Sequence, residues 1–341
     1  MTNPVLAEAT RGPLVESRHR GAVAIFNADG RQLFAAGDID ALVYPRSAVK
    51  AIQALPLVES GAADAFGFGN RELALAQSSH NGEPGHVETV LSMLARAGLT
   101  TADLECGPQW PSRQAAGNEL VKAGLNPGPE HNNCSGKHAG FLCFAVHSGF
   151  ETKDYVEPDH PVQQAVRAAM EDLTGAPHSA GHCGRDGCSI PTFAVPLKAL
   201  ANGFARFGTG AGLGAERAAA AARIFAAAVA EPWHIAGTGR FCTEAIQALG
   251  DAVLVKTGAE GVFCGAVPSL GLGIALKCDD GASRGSEAMM AEVLTRLLPE
   301  SAEAIAARRI APIDNRRGTR VGEVRPVAAA YEGLDPPGAN L

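Results

Sequence analysis

Long apolar runs are missing from this chain of 341 residues. No stretch reaches the roughly eighteen consecutive apolar residues that a membrane-spanning helix needs, so no membrane partner is expected. Runs of Lys and Arg are missing too. With 29 basic residues against 36 acidic ones and a net charge of −7, the chain carries no basic stripe, which excludes nucleic acid as its main partner. The opening MTNPVLAEATRGPLVES lacks a basic start followed by an apolar run, so no secretory signal and a cytoplasmic location are expected. In that reducing setting the eight cysteines, at 106, 134, 143, 183, 188, 242, 264 and 278, are expected to be thiols or metal ligands and not disulfides. Cys143, in the apolar run GFLCFAV, reads as a small core residue. No internal repeat is present.

What remains is an ordinary globular composition, 46% apolar and 19% charged, long enough for a sizeable core. LVESRHRGAVAIF (14–26), the turn signal NADG (27–30) and RQLFAAGD read as a hairpin. YPRSAVKAIQALPLVES has helical spacing, as do residues 71–78 and 85–98. Residues 100–140 are loop-rich, 160–230 mostly helical, and AVLVK (252–256), GVFCGAVP and GLGIALKC read as strands. SEAMMAEVLTRLL (286–298) is an amphipathic helix, and the tail after about 320 reads as loosely held. Strands at both ends with helices between them predict an α/β (α+β) fold. Its antiparallel sheet would come from about 10–40 and 250–330, its helical lobe from about 45–245, all in one catalytic domain with a site in the cleft between lobes.

Three short motifs carry chemistry. Ser47-Ala48-Val49-Lys50 is S-x-x-K at a helix start, Ser79-His80-Asn81 is S-x-N on a loop between helices, and Lys256-Thr257-Gly258 is K-T-G at a strand end. A serine hydroxyl is a weak nucleophile until a neighbouring base takes its proton. Positions i and i+3 of a helix share a face, so Lys50 can serve Ser47. Lysine acts as a base when burial or a second cation lowers its pKa, and Lys256 is a candidate for that cation. The order S-x-x-K, S-x-N, K-T-G is that of serine β-lactamases and penicillin-binding proteins. The middle motif here is S-H-N and not S-D-N, and the spacings differ. Those departures put lactam chemistry in doubt while keeping the scaffold.

A second constellation joins HNNCSGKHAGF (131–141) to HCGRDGCSIP (182–191). Thiolates are good zinc ligands. The spacings are not those of a zinc finger or ribbon, so the residues alone leave a metal site and buried free thiols both open.

Over nearly its whole length the sequence resembles the rhizobial-type, or third-class, zinc-containing L-asparaginases. VESRHRG (15–21), YPRSAVKAIQ, SSHNGE, HNNCSGKHAGFL, GRDGCSIP, KTGAEGV and LGIALKCDDG (272–281) carry the resemblance. It implies a serine-β-lactamase-like fold, a homodimer, and hydrolysis of L-asparagine to L-aspartate and ammonia. Matched residue by residue, it implies the catalytic pairs Ser47 with Lys50 and Ser79 with Lys256. It places zinc on Cys134, Lys137 and Cys188, and sets Arg46, His138 and Asp186 around the substrate. No organic cofactor is implied. The competing activities are those of a glutaminase, of a β-lactamase or peptidoglycan peptidase, and of a non-catalytic amino-acid-binding or zinc-sensing protein.

Overall fold

The computed structural model describes residues 2–335, so residues 336–341, the end of the tail, lie outside the described residues. The chain forms two compact units. A sheet unit takes the residues up to Ala48, Val195–Thr209 and the residues from Ala248 onward; a helical unit takes Val49–Ala194 and Gly210–Gln247.

The sheet unit is built on β1 (Val5–Arg11), β2 (Leu14–Asn27), β3 (Gln32–Ala36), β4 (Leu254–Gly258), β5 (Val262–Val267), β6 (Leu272–Cys278), β7 (Ala311–Asp314) and β8 (Arg320–Pro326). All pair antiparallel in the order β7-β8-β1-β2-β6-β5-β4, with β3 added on β2. This is the α+β class expected, with strands from both chain ends in one sheet. The NADG hairpin is present: Gly30 adopts φ +79 and its N–H donates to the Asn27 carbonyl at 3.1 Å, while the Arg31 N–H donates to Asn27 Oδ1 at 2.8 Å. That is the turn chemistry Asn and Gly supply.

β5, β6 and the second half of β2 are buried almost continuously instead of alternately, the mark of a sheet covered on both faces. Side chains alternate along a strand. Gly273 therefore faces helix α1 (Leu197–Thr209), while Cys278 shares the other face with His19, which packs on Gly285 of helix α2 (Ser283–Leu297). α1 sits inside the stretch read from sequence as part of the helical lobe, yet it packs against β2, β5 and β6.

Two sequence expectations fail here. β1 had no counterpart in the sequence reading, because VLAEATR follows no clean period of two in its burial. The segment after 320, expected to be loose, is an interior strand. β8 pairs with β1 through Ala7↔Pro326 and Ala9↔Val324, and Gly322 comes so close to the Thr10 carbonyl that a Cβ there would stand 2.0 Å from it. Glycine content marked the tail as loop-like, whereas at 322 the glycine serves backbone approach.

The helical unit is organised round Ser135–Ser148, which is buried along nearly its whole length. It packs on Asn70–Ala76 and Pro84–Arg96, with Leu73, Leu75, Met93, Leu94, Phe141 and Leu142 in the shared core. The stretch 100–140, expected to be loop-rich, contains a helix at Gln114–Lys122 and the start of Ser135–Ser148. Among the described residues no helix is long and apolar enough to cross a membrane.

β6 approaches α1 as closely as β8 approaches β1. A Cβ at Gly273 would stand 2.0 Å from the Ala201 carbonyl oxygen and 2.2 Å from the Ala205 nitrogen, both backbone atoms that cannot step aside. Gly273→Ala is expected to destabilise the protein by about 3 kcal/mol or more, read as a shift in the urea unfolding midpoint. An unchanged midpoint would show that α1 does not press on β6 as described.

Candidate active site

The Ser135–Ser148 helix crosses Asn70–Ala76 at backbone distance. Gly136 permits this: a Cβ there would meet the Leu75 carbonyl oxygen at 2.4 Å. The crossing sets the start of the longer helix, with Cys134, Lys137 and His138, beside the chain that leaves the shorter one at Ser78 and Ser79. The loop is then pinned by backbone bonds, Ser79 N–H to the Ile235 carbonyl at 2.9 Å and His80 N–H to the Asn133 carbonyl at 3.1 Å.

Lys50, from the S-x-x-K motif, is 1% exposed in this cluster. Its Nζ donates to the Ser78 carbonyl at 2.5 Å, to Ser79 Oγ at 3.0 Å and to Cys134 Sγ at 3.1 Å. The structure thus brings Lys50, Ser79 and Cys134 together. A second contact, Lys137 Nζ to Cys188 Sγ at 3.1 Å, joins the other thiol. Of the two thiols Cys134 is the more acidic, and its Sγ also donates to Asn133 Oδ1 at 3.0 Å. The hydrogen bond from Cys188 and the ammonium groups of Lys50 and Lys137 keep it well below the usual thiol range, against its burial. Cys188 is pushed up by donating that bond and by its own burial. Burial opposes the charge on Lys137, but Cys188, Cys134 and the Asp186 carboxylate outweigh it and raise its pKa. Two thiols and an amine, all buried and in mutual reach, make a donor set that fits a thiophilic divalent ion such as zinc. Lys137 would have to give up its proton to bind.

His138 is fully buried. Tyr155 Oη accepts the Glu105 N–H at 3.0 Å and donates to His138 Nδ1 at 2.7 Å. The ring proton is therefore on Nε2, a buried donor without a hydrogen-bond partner. Burial, with Lys137 and Lys50 nearby, holds this histidine well below its ordinary pKa, so it is neutral. Asp186 lies at a tight turn, its N–H donating to the Ile190 carbonyl at 2.9 Å.

The other sequence-predicted residues belong to the sheet unit. Arg46–Val49 is a single 3₁₀ turn leading into Lys50–Gln53. Arg46, just before Ser47, adopts φ +51, a left-handed conformation costly for a residue with a side chain and frequent at functional turns. Lys256 is buried on β4 and donates to the Thr257 carbonyl at 2.9 Å. The glycine of K-T-G has a steric reason: a Cβ at 258 would stand 2.7 Å from the Pro45 carbonyl oxygen and 3.1 Å from the Ala48 nitrogen. The end of β4 lies directly against the turn that carries Ser47.

Sequence reasoning left the rest of the S-H-N loop without a role. Gly82 N–H donates to His80 Nδ1 at 3.0 Å, so Nε2 bears the proton and donates to Ser135 Oγ at 2.9 Å. Asn81 is spent on structure, accepting from Arg240 and Ser112 at 3.0 Å each and donating to the Thr238 carbonyl at 3.0 Å. His86 stacks between His80 and Trp233, with ring centroids 4.9 and 3.8 Å away. A further group carries no sequence signal of its own. His19, Cys278 and Asp280, in the sheet unit, offer three ligand atoms all within 4.8 Å of one another.

A sheet drawn from both chain ends, an S-x-x-K turn against a K-T-G strand, and a buried amine on a serine hydroxyl are the features of a hydrolase. The chain belongs to the L-asparaginase II family, whose model matches residues 7–326. No curated protein matches it in sequence. Among solved structures it is similar to Mglu, at 17% identity over 86% of this chain and 70% of that one with a TM-score of 0.35. It is similar also to a β-lactamase from Mycobacterium bovis, at 15% identity over 84% and 94% with a TM-score of 0.36. A D-alanine carboxypeptidase from Burkholderia cenocepacia follows at 12% identity over 84% and 93%, with a TM-score of 0.40.

The stacked histidines predict an acid weakness. Burial holds His86 down to about 4 from an ordinary 6.5. The unfolded chain therefore binds a proton that the folded one refuses. The stability present above pH 6.5 is lost as pH falls toward 4, by up to about 3 kcal/mol from this residue. Urea unfolding across that window should show the loss, and His86→Phe should flatten it; an equally steep slope in the variant would assign the effect elsewhere.

Proposed function

We propose that the protein is an L-asparagine amidohydrolase that works through a serine activated by lysine. Membership of the L-asparaginase II family supports the substrate. The observation that carries the chemistry is the buried Lys50 amine at 3.0 Å from the Ser79 hydroxyl, three residues along the chain from Ser47. Ser47 Oγ attacks the side-chain amide carbon, and Lys50, once it has given up a proton and become the neutral amine, takes the serine proton. The C–N bond breaks, the leaving nitrogen receives a proton and departs as ammonia, and water then cleaves the acyl ester to give aspartate and restore Ser47. Ser79 and Lys256 relay protons or assist the leaving group. Backbone N–H groups at the Ser47 turn hold the oxyanion.

Arg46 and Asp186 take the α-carboxylate and α-ammonium of the substrate, and His138 Nε2–H, a buried donor facing no protein acceptor, takes a substrate oxygen. A zinc ion would be held by Cys134, Lys137 and Cys188, and would supply fixed positive charge that polarises the pocket. A homodimer working in the cytoplasm is part of this proposal. A β-lactamase-like or peptidase activity is the second reading, favoured by the S-x-x-K and K-T-G pair, with Gly258 seated against the Ser47 turn.

Coupled ammonia detection with asparagine and glutamine in parallel, with and without a chelator, tests the substrate. Asparagine should be turned over and glutamine more slowly, a pocket separating them by one methylene worth ~1–3 kcal/mol. Turnover of nitrocefin without release of ammonia would transfer the assignment to the second reading. Ser47→Ala and Lys50→Met should each lower kcat by about a thousandfold or more. If Ser47→Ala kept most of its kcat while Ser79→Ala lost it, Ser79 would be the nucleophile.

A further inference from the structure

The group formed by His19, Cys278 and Asp280 plays no part in the proposed reaction. It lies where the middle of β2 meets the turn after β6, beside the start of α2. His19 and Cys278 are buried, and Asp280 opens to solvent, with its side chain 45% exposed. His19 Nδ1 is 2.7 Å from Asp280 Oδ2, and Cys278 Sγ is 3.0 Å from Asp280 Oδ1. Arg284 Nε donates to His19 Nε2 at 3.1 Å. That donor fixes the tautomer: Nε2 accepts, so Nδ1 bears the proton and donates to the carboxylate. The thiol likewise donates its proton to Asp280. Two protons thus bridge the carboxylate to its two neighbours in a group whose three ligand atoms lie within 4.8 Å of one another.

We propose that His19, Cys278 and Asp280 form a divalent-metal site of the zinc type, separate from the thiols at 134 and 188, and that Arg284 gates it by competing for the imidazole. The ligand set decides the class of ion. One thiolate, one imidazole and one carboxylate suit zinc and its thiophilic neighbours, whereas magnesium and calcium take oxygen ligands. Three protein ligands leave a fourth position, which Asp280's exposure directs toward water.

The proton account closes. Cys278 gives its thiol proton to solvent, and the His19 proton moves by solvent exchange from Nδ1 to Nε2. Asp280 serves as acceptor to His19, Cys278 and the Ala282 N–H, the part of a carboxylate. One divalent ion then faces two negative ligands and a neutral imidazole, so the buried charge sums to zero. A tetrahedral zinc needs ligand atoms roughly 3.3–3.6 Å apart; the two contacts run to different oxygens of Asp280, so the carboxylate must turn to offer one oxygen at that spacing, which removal of the two bridging protons allows. With Nε2 protonated, Arg284 can no longer donate to it. Arg284 is exposed and already feels the Glu16 carboxylate, which gives the guanidinium somewhere to turn.

Cobalt(II) titration of the full-length chain carrying C134S and C188S tests the site. One equivalent should bind with a thiolate-to-cobalt charge-transfer band, and the band should vanish when C278S is added. No band in the double variant, or a band that survives C278S, overturns the proposal. Should the double variant fail to fold, the wild type against C278S alone decides the matter: the wild type must bind one equivalent more, and equal stoichiometry sinks the site. Arg284→Met separates a ligand site from a mere structural contact. It should tighten cobalt binding severalfold, and an unchanged or weakened affinity removes the gate.

Discussion

A buried amine must find its acceptors inside the protein, since water cannot reach it. Lys50 finds three, the Ser78 carbonyl, the Ser79 hydroxyl and the Cys134 sulfur, and the geometry of the helical unit follows from supplying them. The Ser78 and Cys134 acceptors come from two helices that must approach until their backbones touch, which Gly136 against the Leu75 carbonyl allows. The loop carrying Ser79 must stay in register with the helix carrying Cys134, and the His80 N–H on the Asn133 carbonyl holds it there. The Cys134 sulfur completes the set, and the two amines beside it in turn lower its pKa.

The first turn of the helix that follows Cys134 brings Lys137 to the same neighbourhood. Two amines and two thiols in a dry cluster are tolerable because each has a partner within hydrogen-bond reach. Replacing either partner would leave a charge stranded, so the Lys50, Cys134, Lys137 and Cys188 side chains behave as one unit. The same cluster that would hold a metal also sets the electrostatics of the serine beside it.

Much of this was legible in the sequence because its signals are short-range. The NADG hairpin, the strands after 250, the helix near 286–298 and the helices flanking SSHNGE all rest on local periodicity and turn chemistry, and all are present. Lys50 and Ser79 were legible as chemistry, but their 3.0 Å contact spans 29 residues and no local rule gives it. The misses are of one kind. β1 and β8 are partners from opposite ends of the chain, and Gly322 looked like a loop residue because the backbone that it approaches is more than three hundred positions away. His19 and Asp280 stand 261 residues apart. VESRHRG and LKCDDG were each conspicuous as runs, yet neither has ligand spacing alone, and only sheet pairing puts the imidazole beside the thiol.

The sheet unit is discontinuous along the chain, and this bears on biogenesis. β1 and β2 leave the ribosome first, but their neighbours β6 and β8 come from the final third of the polypeptide. For most of translation β2 has β1 and β3 to pair with, while the edge of its apolar stretch from Ala22 to Phe26 that β6 will cover stays open. Such edges invite pairing with other nascent chains, and the long loop to be closed makes the final assembly slow. The helical unit, nearly complete before β4 is made, can fold in the interval, leaving the first hairpin as the part of this protein most dependent on chaperone shelter.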